Sequence, residues 1–148
     1  MTIELDIQIA TGFESIPSAE QFELWAGLAL KDHDAAELTL RLVDREEISQ
    51  LNGQYRGKDG PTNVLSFPAE LPSGIDLPLL GDVVICAPLV AEEARLQGKS
   101  PESHWAHLVV HGVLHLLGHD HQTEAEAGKM ESLEVDLLAS IGIANPYL

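Results

Sequence analysis

Cysteine is almost absent: the 148 residues hold a single one, Cys86. That rules out an intrachain disulfide and any cysteine-based zinc site, and it fits a reducing compartment. Basic residues are also scarce. Eight Lys and Arg stand against twenty-four Asp and Glu, a formal net charge of −16. Sequence-blind nucleic-acid binding relies on many cations neutralising phosphates, so this balance counts against it, though not against one focused basic spot. No apolar stretch approaches the roughly 20 residues that a membrane helix needs. The opening Met1-Thr2-Ile3-Glu4-Leu5-Asp6 has no basic segment followed by an apolar run, so no signal peptide is expected. These absences point to a cytoplasmic protein.

What is present suffices for one core. Apolar residues make up 45% of the chain, and this length suits a single domain over residues 1–148. Ile3, Leu5, Ile7 and Ile9 alternate with polar residues, as in a half-buried strand. Ser18 and Gln21 form a capping box for a helix with Phe22, Trp25, Ala26 and Ala29 on its buried stripe. Leu38, Leu40 and Leu42 mark a second strand, and Asp44 with Glu47 the capping box of a short helix carrying Ile48 and Leu51. Gly53 to Pro61 reads as a loop, Val64 to Phe67 as a strand, Glu70 to Pro78 as a loop and Asp82 to Cys86 as a fourth strand. Three helices follow: Pro88 to Gln97 ending at Gly98, Pro101 to Leu117 ending at Gly118, and one opened by a Thr123–Glu126 capping box. The predicted fold is a single α+β domain. It has a four-stranded mixed sheet, about five helices and a metal site at the end of a central helix.

Five of the seven histidines fall between His107 and His121. His111 and His115 are one helical turn apart and so share a face. A helix break at Gly118 lets the chain reverse and return His121 toward the same point. Three protein ligands are the number found in catalytic rather than structural zinc sites. A triad of His107, His111 and His115 would spread over about 12 Å of helix rise, too far for one tetrahedral ion. His107 is therefore expected behind the ligands or in the packing. His119 reads as a neighbour of the site. Asp120 suits either a hydrogen bond that orients a ligand imidazole or an ordinary turn.

The spacing matches the long zincin pattern, but the position of that pattern's general-base glutamate holds Gly112. Ordinary peptide hydrolysis is thereby disfavoured. A glycine in mid-helix costs about 1 kcal/mol relative to alanine, which implies close approach by substrate or backbone, or tight helix packing. A metal can still polarise an oxygen of a charged substrate such as a phosphodiester. Arg56, in Tyr55-Arg56-Gly57-Lys58-Asp59, is the candidate phosphate clamp.

These residues carry a resemblance. The stretch from Tyr55 to Pro68, the strand Leu80-Gly81-Asp82-Val83-Val84-Ile85 and the run from Trp105 to His121 resemble the signatures of the YbeY family of bacterial endoribonucleases. The likeness spans residues 37 to 148 well and the N-terminal third more loosely. It implies a metal-dependent endoribonuclease specific for single strands, with zinc or another first-row divalent ion on His111, His115 and His121 and with Arg56 needed for activity. It further implies action in 16S rRNA 3′-end maturation and ribosome quality control, alongside the ribosome or small-subunit ribosomal proteins, with neither DNA nor membrane as partner. Gly112 belongs to the family pattern, whereas His119 stands where tyrosine is common. Asn63, Thr62 and Asp82 are candidates to shape the site, with strand-end hydrogen bonding as their plainer role. Two other readings remain: hydrolysis of a peptide or small ester, and a non-catalytic ribosome-assembly module with a structural ion.

Overall fold

The alternating and 3.6-residue patterns resolve into nine elements in the computed structural model, which describes residues 2–72, 74 and 78–148. In chain order they are β1 (Thr2–Ala10), α1 (Ala19–Ala29), β2 (Ala35–Val43), α2 (Arg45–Arg56), β3 (Val64–Pro68), β4 (Leu79–Cys86), α3 (Ala87–Gln97), α4 (Pro101–Leu116) and α5 (Glu124–Ala139). The sheet order is β1-β2-β4-β3. β1 and β4 both run parallel to β2, and β3 runs antiparallel to β4, so the sheet is mixed as predicted. Part of the expected loop Glu70 to Pro78 (residues 73 and 75–77) lies outside the described residues.

Alternation decides the faces. Leu38, Leu40 and Leu42 of β2 stand in register with Gly81, Val83 and Ile85 of β4, and together they floor the main core beneath α1 and α4. Phe22 meets Trp25 and Trp105 edge-to-face at 5.9 and 5.6 Å between ring centroids. Burying each large apolar side chain contributes roughly 1.5–3 kcal/mol. The opposite sheet face carries a smaller cluster of Val43, Ile48, Leu65, Val84 and Cys86 beneath α2. α4 is apolar on nearly every side because it contacts α1, α3, α5, β3 and β4. It is the fixed post on which the histidines stand.

Local signals hold where their side chains have no stronger partner. Ser18 and Gln21 form the full reciprocal box, and Ser100 takes the Ser103 N–H at 3.1 Å. Thr123 takes the Glu126 N–H at 3.1 Å, one half of its expected box. The box expected from Asp44 and Glu47 does not form. Asp44 instead accepts from the Thr11 hydroxyl, and Glu47 grips Arg41 through two bonds of 2.6 and 3.0 Å. A forked guanidinium–carboxylate pair is stronger than a neutral N–H contact. Among the described residues, no helix is long and apolar enough to cross a membrane.

Candidate active site and metal centre

The helix that carries the histidines stops where its sequence says it should. Leu117 caps α4, and Gly118 takes φ 98°, a conformation that side chains with a Cβ avoid. The His119 N–H then closes back on the Leu114 carbonyl at 3.1 Å. This reversal returns the chain past the helix end and sets His121 beside His115 and His111. The ring centroids lie 4.7 Å apart for His111–His115, 4.9 Å for His115–His121 and 5.9 Å for His111–His121. One ligand-capable nitrogen from each ring lies within 4.8 Å of the other two.

Among the described residues the donor set fits a borderline divalent ion: three imidazoles, with no thiolate and no carboxylate in the group. His115 is held below the usual histidine pKa, first by burial and then by the neighbouring His111 and His121. It is therefore neutral at physiological pH, the form that binds metal. His107 does not join this trio. It forms a second group with His111 and Glu134 on the buried side of the site. His119 lines the cleft but belongs to neither group among the described residues.

Glu134 belongs to no motif in the sequence, yet it is the most heavily engaged carboxylate at the site. It is 0% exposed. Its Oε1 accepts from His107 Nε2 at 2.8 Å and from His111 Nδ1 at 3.0 Å, and its Oε2 accepts from the Tyr147 hydroxyl at 2.9 Å. Burial alone would raise its pKa, but the hydrogen bonds from the two histidines, and their charge when protonated, outweigh that and bring it down to about 2. One signal was available: Glu134 interrupts the otherwise apolar buried stripe of Met130, Leu137 and Leu138.

The remaining candidates sort by contact. Arg56 stands in the last turn of α2, whereas the sequence suggested a loop from Gly53. The helix continues through Gly53 because the buried Asn52 ties it to the Gly60 carbonyl at 3.0 Å, and it ends only at Gly57. Arg56 is exposed, lines the same cleft of about 630 Å³ as His111, His115 and His121, and makes no ion pair among the described residues. Asn63 lines the cleft too, but its amide donates to Glu93 at 3.1 Å. Asp120 accepts the His121 backbone N–H at 2.7 Å, a turn contact rather than a bond to an imidazole. Thr62 also faces the cleft, whereas Asp82 faces a separate hollow of about 540 Å³ next to Tyr55 and Phe67.

Gly112 is a packing residue. A Cβ there would sit 2.6 Å from Cγ1 of Val83 and 3.4 Å from Oγ of Ser66, which itself donates to the Gly112 carbonyl at 2.9 Å. The helix lies directly on the sheet at this point. A protease-type glutamate would be driven into β3 and β4, not into the cleft. Gly112→Ala is expected to destabilise the fold by about 1–2 kcal/mol, since overpacking a stiff valine exceeds the helix-propensity gain. Denaturant unfolding checks this, and Val83→Ala in the same chain should recover part of the loss.

Two comparisons with known proteins bear on the family of this chain. The family model described as endoribonuclease YbeY matches residues 9–142. A solution structure of the protein TM1509 from Thermotoga maritima is similar, at 27% sequence identity and a TM-score of 0.58 over 91% of each chain. The chain therefore belongs to the YbeY family of endoribonucleases, metal-dependent hydrolases of RNA phosphodiester bonds that serve in rRNA processing.

Proposed function

We propose that this protein cleaves single-stranded ribosomal RNA in 16S rRNA 3′-end maturation and ribosome quality control. In this reading zinc is held by His111, His115 and His121, and Arg56 is the phosphate clamp. One observation carries it: three convergent imidazoles and an unpaired arginine share one open cleft. A bound divalent ion would supply a Lewis acid for a phosphodiester oxygen. Arg56 is permanently charged and planar, so it can take two phosphate oxygens at once and counter the charge that builds as the bond breaks. Its exposed position at a helix end lets a single strand enter without deforming the sheet.

Three protein donors rather than four among the described residues argue against a purely structural ion. The net charge of −16 disfavours capture of free RNA by long-range attraction and complements basic ribosomal proteins. That supports delivery of the substrate on the small subunit, in the cytoplasm. Chelator-stripped protein should remain folded by circular dichroism, lose cleavage of a single-stranded RNA and regain it with zinc. A duplex of the same sequence should resist. Product ends identify the attacking group, a cyclic phosphate marking the RNA 2′-hydroxyl. Full activity after stripping, or equal cleavage of duplex and single strand, would remove this reading.

A further inference from the structure

Burying a carboxylate costs several kcal/mol unless its oxygens find donors. Glu134 does so without an arginine or lysine: its ion-pair partners among the described residues are His107 and His111. A leucine would complete the Met130–Leu137 stripe at no such cost. The fold therefore does not need this carboxylate for packing, and its donors reveal what it orders. Two are imidazoles on successive turns of α4, and one of these, His111, belongs to the three clustered histidines.

Three hydrogen-bond partners converge on the two oxygens of Glu134, two imidazole nitrogens on Oε1 and a phenol on Oε2, the arrangement of a carboxylate that only accepts. At 3.0 Å from Glu134 Oε1, Nδ1 of His111 must carry the proton. In the neutral ring that leaves the lone pair on Nε2, the other nitrogen. We propose that Glu134 is a positioning residue for the metal centre. It fixes His111 in the Nδ1–H tautomer and orients the ring so that Nε2 is the ligand. The inference rests on the assignment of His111 as a ligand.

Two further contacts hold the carboxylate still. His107 Nε2 donates to the same oxygen at 2.8 Å, and the Tyr147 hydroxyl donates to the other at 2.9 Å. The Tyr147 phenol keeps its proton because burial, and then the Glu134 charge, raise its pKa. The segment bearing it is tied down where Lys99 Nζ meets the Pro146 carbonyl at 2.7 Å. Glu134 thus joins α4, α5 and the C-terminal segment behind one ligand. Asp120, the nearer acid in sequence, is committed to the turn.

The test reads the tautomer and the affinity separately. Long-range proton–nitrogen NMR of the metal-free wild-type protein in mildly alkaline buffer should show a protonated Nδ1 and a pyridine-like Nε2 on His111. Zinc affinity, measured by competition with a chromophoric chelator, should fall about 10–100-fold in Glu134→Leu, as expected when an outer-shell partner is lost. In that variant His111 should become a tautomer mixture. Glu134→Gln keeps an acceptor oxygen but loses the charge, so it should hold the tautomer and fall less. Tyr147→Phe should lose only a few-fold. A pyridine-like Nδ1 in the wild type overturns the proposal, and this readout needs no variant to fold. Wild-type zinc affinity in both folded Glu134 variants, or in Glu134→Gln if Glu134→Leu does not fold, also overturns it. If His111→Ala leaves zinc affinity unchanged, the ligand assignment has failed instead, which separates the two failures.

Discussion

Replacing His115 by alanine is expected to lower zinc affinity by about 10²–10³-fold and to remove RNA cleavage at ordinary zinc levels, with the fold intact. The magnitude follows from the ligand count. Four-ligand zinc peptides bind with about 10–16 kcal/mol, so each ligand supplies roughly 2.5–4 kcal/mol. His115 is the middle of the three rings, 4.7 Å from His111 and 4.9 Å from His121 by centroid. Its loss leaves the two most distant imidazoles, 5.9 Å apart. Alanine is a good helix former, and His115 faces the cleft rather than the core. Unfolding should therefore show little change. Competition titration and single-strand cleavage measure the two effects. Tight zinc binding by a folded His115→Ala protein would exclude His115 from the site.

Arg56→Glu should reduce kcat/KM on single-stranded RNA by about 10²–10³-fold, the cost of losing one group that stabilises transition-state charge. Reversal adds repulsion of the phosphate in an already acidic protein. Arg56→Lys should fall between wild type and Arg56→Glu, because an ammonium keeps the charge but not the fork. Stability should change little, since Arg56 is exposed and forms no ion pair among the described residues. Its stabilising place at the helix C-terminus is worth about 0.3–1 kcal/mol. Zinc affinity should be unchanged. That outcome separates a substrate contact from a metal contact, and wild-type cleavage by Arg56→Glu would remove Arg56 from the mechanism.

What was legible in the sequence was local. The alternation from Ile3 to Ile9 and from Leu38 to Leu42 marks two parallel strands, because Ile3, Leu5 and Ile7 and the three leucines pack on the core, while Ile9 at the strand end is exposed. Ser100, Pro101 and Gly118 bracketed the histidine helix, because caps and a left-handed glycine act within a few residues. The spacing of His111, His115 and His121 followed from that helix and its reversal. What was not legible was tertiary. Glu134 lies 23 residues from His111 and Tyr147 lies 13 from Glu134, so no periodicity links them. Gly112 could be read as a substrate approach or as helix packing, and only Val83 on β4 decides between them. The Asp44–Glu47 box failed because Arg41, on another element, offered Glu47 a better partner. Arg56 lies on a helix and not in the loop that its neighbouring glycines suggest, because Asn52 secures the helix through Gly60, a contact that composition does not reveal.

The most direct test of the whole account is X-ray absorption at the zinc edge on protein loaded with one equivalent of zinc. Three imidazole nitrogens at about 2.0–2.1 Å and one further light atom that a phosphate analogue displaces, with one imidazole lost in His121→Ala, is the predicted result. A shell of four protein donors, or one unaltered by His121→Ala, would contradict it.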